Sequence, residues 1–324
     1  MMVGSGASGT GDATSEHFAD RLTAAVRRAG NPIVVGLDPR YEQLPEGLRQ
    51  GGSAASWAQQ AAAYQAFCEG LIDVVAPLVP AVKPQAAFFE QLGPEGMVVL
   101  GRVIRYASER GLLVILDGKR NDIGSTATAY AEGFLGRGAA SAWGADALTV
   151  SPYLGDDSLS PFVEIAAKRD AGIFVLVKTS NPGGGVYQDL VADGRAVFHH
   201  VAEHVEQLAR QTLGQCGYGL VGAVVGATYP QQAAELRAAM PHTWFLVPGY
   251  GSQGAAARDV AGAFDERGLG AIINNSRAII FAHARGEYAK KFGAARWQEA
   301  VEAATRQMIA ELRDETLAGK LASA

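Results

Sequence analysis

Leu112-Leu113-Val114-Ile115-Leu116-Asp117-Gly118-Lys119-Arg120-Asn121-Asp122 runs from five consecutive apolar residues directly into an acid, a glycine and two bases. A short unbroken apolar run is the pattern of a strand covered on both faces, as in a parallel sheet flanked by helices. In such a strand Leu113, Ile115, Asp117 and Lys119 share one face, so carboxylate and ammonium project to the same side and Gly118 leaves space on the other. Asp122 follows in the turn. A plainer reading makes these charges a surface ion pair at a helix start, with Asp122 beside the N-terminus of the helix beginning near Ser125. An isolated charge at the inward end of a buried strand is costly, however, and an alternating acid-base array is the workable arrangement there.

Outward from this stretch the same pattern recurs. Apolar or β-branched runs at Pro32 to Asp38, Ala81 to Phe88, Leu112 to Lys119, Ala147 to Tyr153, Ile173 to Ser180, Val221 to Thr228, Trp244 to Gly251 and Ala271 to Arg277 make eight strand candidates. Helical spacing fills the gaps at Trp57 to Val79, Glu95 to Arg110, Ser125 to Ala140, Ser158 to Lys168, Gln188 to Leu213, Gln231 to Met240 and Gly254 to Arg267, and Trp297 to Ala318 closes the series. Eight βα units predict an α/β fold of the (βα)8 TIM-barrel type, usually about 250 residues, with an extra N-terminal helix at Ser15 to Ala29 capping the bottom. A doubly wound open sheet is the competitor, and the count of eight favours closure. The expected organisation is a disordered tail over 1–14 and one catalytic domain over 15–324.

Composition narrows the classes. With 48% hydrophobic and 19% charged residues, the 324-residue chain can bury a large core, which excludes wholesale disorder. Its 28 Lys and Arg against 33 Asp and Glu leave a net charge of −5, so no global basic field recruits nucleic acid and any anion site must be local. Cys68 and Cys216 lack metal-ligand spacing and read as ordinary thiols of a reducing compartment. No stretch has the roughly 18 uncharged apolar residues of a membrane helix, and the N-terminal segment lacks a signal-peptide pattern. A soluble, cytoplasmic protein is expected.

The strand ends carry the chemistry, because active sites of α/β barrels are built on the C-terminal rim. Asp38 closes the first strand and Lys83 the second, so neighbouring strands bring both toward Asp117 and Lys119 in a ladder of alternating charge. A Lys flanked by carboxylates stays protonated, each opposite charge near 4 Å contributing up to about 4 kcal/mol at an effective dielectric of 20. Lys119 is therefore predicted to donate a proton, since imine chemistry needs a neutral amine. After strand seven, Val247-Pro248-Gly249-Tyr250-Gly251-Ser252-Gln253-Gly254 offers backbone amides to an anion, and Arg277 at the end of strand eight adds a planar fork for phosphate. Glycine-rich turns and a loop salt bridge are the bland alternatives. Thr179-Ser180-Asn181-Pro182-Gly183-Gly184-Gly185 places Ser180 where it can hydrogen-bond a polar ring and supplies glycines that can hinge a lid.

Over roughly Pro32 to Phe281 these residues together resemble the orotidine 5'-phosphate decarboxylase family, and in particular its longer bacterial branch. The most specific element is the Asp-x-Lys-x-x-Asp signature of Asp117, Lys119 and Asp122, continued by Ile123 and Thr126. The resemblance implies conversion of orotidine 5'-monophosphate to UMP and CO2 in pyrimidine biosynthesis without metal or organic cofactor. Asp117 then sits against the substrate carboxylate, and Lys119 protonates the C6 carbanion. Asp38 and Lys83 resemble the ribose-binding and network residues, and Ser180 the pyrimidine contact. Gln253 resembles the glutamine joining base and phosphate, and Arg277 the phosphate-gripping arginine beside Gly249 and Gly251. A homodimer is implied, with Asp122, Ile123 and Thr126 reaching the neighbouring subunit's site. One departure is Ser276, where many short members have Gly before the arginine.

Two other readings stay open. Keto-sugar phosphate decarboxylases and hexulose-phosphate synthases share the barrel and an Asp-x-Lys-x-x-Asp, but resemble Mg²⁺ enzymes. A non-catalytic nucleotide-phosphate-binding barrel is the other.

Overall fold

The computed structural model describes residues 17–49, 51–251 and 254–323. The expected disordered tail over 1–14 lies outside them. Eight parallel strands close in chain order: β1 (Ile33–Leu37), β2 (Ala81–Pro84), β3 (Leu113–Arg120), β4 (Ala147–Val150), β5 (Gly172–Lys178), β6 (Val221–Val225), β7 (Phe245–Val247) and β8 (Ala271–Asn275). Closure is made by β1 on β8, with Ile33 opposite Ile273 and Val34 opposite Asn274. The predicted barrel is therefore the fold, and the open sheet is excluded. The strands are almost wholly buried, which is why their sequences run apolar without alternation.

The main outer helices are α1 (Phe18–Ala29), α2 (Trp57–Val75), α3 (Gly93–Glu109), α4 (Gly124–Phe134), α5 (Asp156–Lys168), α6 (Val197–Gln211), α7 (Pro230–Ala239) and α8 (Trp297–Glu315). α1 is the expected extra helix. It buries Phe18, Leu22 and Val26 under the barrel and ends where Gly30 takes φ 65°. Its seat requires Gly172, because a Cβ there would lie 2.2 Å from the Phe18 ring. α1 also delivers Arg21 to the buried Asp146 at 2.5 Å, whose other oxygen accepts the Val114 amide at 2.9 Å. One buried ion pair thus fixes the helix to the start of β3.

Four expectations are corrected. The run from Ala81 to Phe88 stops as a strand at Pro84, and Ala86–Glu90 forms a short helix. Gln85 begins it by accepting the Ala87 amide, and Phe89 turns into the core. The expected helix Gln188 to Leu213 begins only at Val197, because Asp193 and Gly194, at φ 50° and 78°, turn a hairpin that pairs Val191–Ala192 with Arg195–Ala196. Asp-Gly between short apolar runs is a hairpin signal that helical spacing had masked. Helix Ser125 to Ala140 ends at Phe134, before Gly136 at φ 118° and Gly138 at φ 55°. The stretch Gly254 to Arg267 holds only the single turn Ala257–Val260 and a 3-10 turn, with Gly262 pressed so near α7 that a Cβ would sit 2.8 Å from the Ala234 Cβ.

Breaking the pair beneath the barrel has a large expected cost. Arg21→Met leaves the Asp146 carboxylate buried without its close guanidinium and should destabilise the protein by about 3–5 kcal/mol in urea unfolding; a loss below about 1 kcal/mol, the size of an exposed pair, would show the contact to be incidental.

Candidate active site

At the C-terminal mouth of the barrel the predicted ladder is assembled. Lys83 Nζ lies 2.5 Å from Asp117 Oδ2, and Lys119 Nζ lies 2.6 Å from Asp117 Oδ1. Lys83 and Asp117 are buried, whereas the Lys119 side chain is 48% exposed into the mouth. Burial works against the Lys83 charge, but Asp117 and then Asp38 outweigh it and raise its pKa. Burial likewise disfavours the Asp117 carboxylate, yet the Lys83 and Lys119 ammonium groups hold its pKa far below the ordinary value. Both groups are locked in their charged forms.

The lysine set between two carboxylates within this chain is Lys83, with Asp38 and Asp117 about it, whereas the expectation had placed Lys119 there. Lys119 has its ion pair with Asp117 alone among the described residues. The pairing of β3 with β4 shifts register between Leu116 and Arg120, and Lys119 takes φ 45°, so its side chain reaches Asp117 through an irregular turn of the strand rather than by simple alternation. A non-glycine residue in that region costs about 1–3 kcal/mol and persists where surroundings over-determine it. Here Thr149 does so: its hydroxyl accepts the Lys119 amide at 2.9 Å and donates to Asp117 Oδ1 at 3.0 Å.

Around this array lies a cavity of about 490 Å³. Asp38, Lys83, Asp117, Lys119, Ser180, Gly249 and Arg277 line it, as predicted. Gly249 takes φ 106°, a conformation open to glycine, in the loop that Tyr250 anchors by donating to Glu311 on α8 at 2.6 Å. Gly251 does not reach the cavity. It borders a smaller recess beside Asn275 and Met308, and its amide donates to the Ala255 carbonyl at 2.8 Å. Asp122 and Ile123, on the turn into α4, and Thr126, in its first turn, also stand outside; Asp122 accepts the Ile123 amide at 2.8 Å, and Ile123 is 53% exposed. Gln253 lies outside the described residues.

The sequence reading missed four polar side chains. Thr149 organises the β3 turn, and Gln85 donates to Asp117 Oδ2 at 3.0 Å. Asn274 and Gln188 also line the cavity, and the oxygens Asn274 Oδ1 and Asp38 Oδ1 are buried without a hydrogen-bond partner among the described residues, so two acceptors face the mouth. Thr149 and Asn274 were visible as polar residues inside apolar strands. A larger cavity of about 570 Å³ opens at the opposite end of the barrel, by Arg21, Arg28 and Arg137. Its one buried carboxylate, Asp146, is already held by Arg21, so converging acid-base chemistry belongs to the upper mouth.

A closed (βα)8 barrel with a buried acid-base chain facing a polar cavity at its C-terminal rim defines an enzyme site. The chain belongs to the orotidine 5'-phosphate decarboxylase / HUMPS family, which it matches over residues 31–292. It is similar to the orotidine 5'-phosphate decarboxylase of Rhodopirellula baltica, at 59% identity over 298 residues, 91% of this chain and 99% of the relative. The Deinococcus radiodurans enzyme of that name is 44% identical over 269 residues, covering 82% and 89%. Among solved structures, Leishmania donovani OMP decarboxylase superposes with a TM-score of 0.71 at 35% identity, covering 92% of this chain and 98% of that one.

The charge array sets a pH window. The depressed Asp117 contributes stability that is complete above the ordinary carboxylate value near pH 4 and lost as pH falls through its lowered value; the raised Lys83 contributes stability that is complete below about pH 10 and lost as pH rises through its raised value. Urea midpoints should therefore show no contribution from this array varying between about pH 5 and 9. In Asp117→Asn the alkaline loss should vanish, because burial of Lys83 then opposes Asp38 alone; an unchanged alkaline limb would disprove the assignment.

Proposed function

We propose that this chain decarboxylates orotidine 5'-monophosphate to UMP and CO2, with Lys119 as the proton donor. The observation that carries the reading is the division of labour between the two lysines: Lys83 is buried and spent on Asp117, while Lys119 shares that carboxylate and faces the open cavity. Loss of CO2 breaks the C6–carboxylate bond and leaves its electron pair on a ring carbon without an adjacent electron sink. An ammonium held at that carbon stabilises the pair as it forms and then transfers its proton, giving UMP; the neutral amine regains a proton from water. Asp117, pinned by Lys83, Thr149 and Gln85, stands against the substrate carboxylate and relaxes when CO2 departs.

Enzymatic accelerations of about 10⁶ to 10¹⁷ require roughly 8 to 23 kcal/mol, beyond what one lysine supplies. Preorganised charge and remote binding share that load. Arg277, Gln253 and the loop backbone at Gly249, which lines the cavity, are assigned to the phosphate. Asp38 takes the ribose and Ser180 the pyrimidine. The exposed Ile123 beside Asp122 and Thr126 fits a homodimer in which these residues complete the partner's site. Net charge −5 supports a partner list of small molecules without nucleic acid. Among the described residues no helix is long and apolar enough to cross a membrane, and a cytoplasmic place of action is part of the proposal.

A Mg²⁺-dependent sugar-phosphate reaction on this barrel would need Asp117 to face a cation. Two ammonium groups already flank that carboxylate and repel one. Activity that falls on EDTA treatment and returns with Mg²⁺ would nonetheless decide for that reaction.

Lys119→Ala should abolish turnover of orotidine 5'-monophosphate with an unchanged circular dichroism spectrum, and residual decarboxylation near the parent rate would exclude Lys119 as the donor. Mixing inactive Asp122→Ala and Lys119→Ala subunits should restore up to about one competent site in every mixed dimer under a shared-site arrangement. Mixtures as inactive as their parents would remove the shared site.

A further inference from the structure

The rim carries a third lysine that the proposed reaction does not use. Lys178 ends β5, yet it does not line the cavity as Leu176 does, because the pairing of β5 with β6 shifts register between these two residues. Its side chain is sealed in the outer layer, with Nζ 5.1 Å from the Phe198 ring centre on α6 and 4.7 Å from that of Tyr229 at the start of α7. Its carboxylate partner is Asp189, at 2.5 Å. A buried ammonium with aromatic faces on two sides gains from cation–π attraction but still requires an anion. Asp189, half exposed, supplies it from eleven residues downstream.

Those eleven residues form a strap that leaves the rim at Thr179 and returns at Gln188 and Asp189. The return is fastened beside the departure. Gln188 accepts the Thr179 amide at 3.0 Å and donates to the Thr179 hydroxyl at 2.8 Å, and that hydroxyl donates to Asn181 at 2.7 Å. Ser180 and Asn181 sit just beyond these fastenings and line the cavity. Ser180 is also backed by Gly226, where a Cβ would fall 2.8 Å from the Ser180 backbone, and Gly226 donates to the Lys178 carbonyl at 2.7 Å. Pulling Asp189 down onto Lys178 therefore closes a loop whose cavity-lining members are Thr179, Ser180, Asn181 and Gln188, with Ser180 and Asn181 held between the fastenings.

We propose that Lys178 is a positioning residue: through Asp189 it clamps the strap so that Ser180 and Asn181 stand at the cavity wall before the nucleotide arrives. This rests on the decarboxylase reading for its substrate but not for its mechanics. Because the clamp pre-orders a binding wall and touches no reacting atom, it acts on KM and leaves kcat nearly alone.

The test compares Asp189→Asn with Lys178→Met/Asp189→Asn in the full chain, reading urea midpoint, kcat and KM for orotidine 5'-monophosphate, and hydrogen exchange of the strap amides. Asp189→Asn alone strands a buried cation and should lower both stability and kcat/KM. The double variant removes that cation, so stability should largely return while KM stays about tenfold raised, kcat moves less than about threefold, and strap amides exchange about tenfold faster. Recovery of KM together with stability, or wild-type strap exchange in the double variant, would overturn the clamp. Absence of any turnover by the wild type would instead sink the decarboxylase reading, and strap exchange would then decide the clamp by itself.

Discussion

A carboxylate held between two ammonium groups at the mouth of a barrel is the constraint on which the rest of the structure turns. Asp117 is buried, and a buried carboxylate persists only with partners that answer each of its oxygens. Lys83 and Gln85 answer Oδ2, Lys119 and Thr149 answer Oδ1. These four come from β2, the residue after it, the irregular end of β3, and β4. No one segment can supply such a set, so it is built where neighbouring parallel strands bring their ends to one rim. The barrel is in this sense the cheapest way to keep a charged cluster dry on one side and open on the other.

The same constraint explains local departures from regular structure. A perfectly paired β3 would carry Lys119 along the strand, whereas the register shift and the left-handed residue turn its amine back toward Asp117 and its amide onto Thr149. Irregularity is thus confined to where the chain must aim a side chain, while the lower half of the barrel stays regular and apolar. At the bottom, Arg21 and Asp146 repeat the arrangement of a buried pair on a smaller scale, there to seat α1 against Gly172.

The rim uses lysines of three environments for three purposes. Lys83 is buried inside the barrel and fixes a carboxylate. Lys119 is half exposed and free to meet a ligand. Lys178 is buried outside the barrel and fastens a strap. Their chemistry is the same; burial and the number of neighbouring carboxylates separate them.

Much of this was written in the residue pattern. Eight apolar runs ending in polar clusters call for a parallel sheet covered by helices, their number favours closure over an open sheet, and Asp117-Gly118-Lys119 announces charge at one strand end. Spacing alone could also have revealed the Asp193-Gly194 hairpin. What the pattern could not decide is which lysine lies between two acids, since that follows from strand neighbours rather than chain neighbours. Nor could it place Thr149, Gln85, Asn274 or the Lys178–Asp189 pair, whose partners are brought in by register shifts and barrel closure. Periodicity determines which face of an element is buried; contacts between the ends of different elements depend on register and curvature, and those are settled only when the sheet closes.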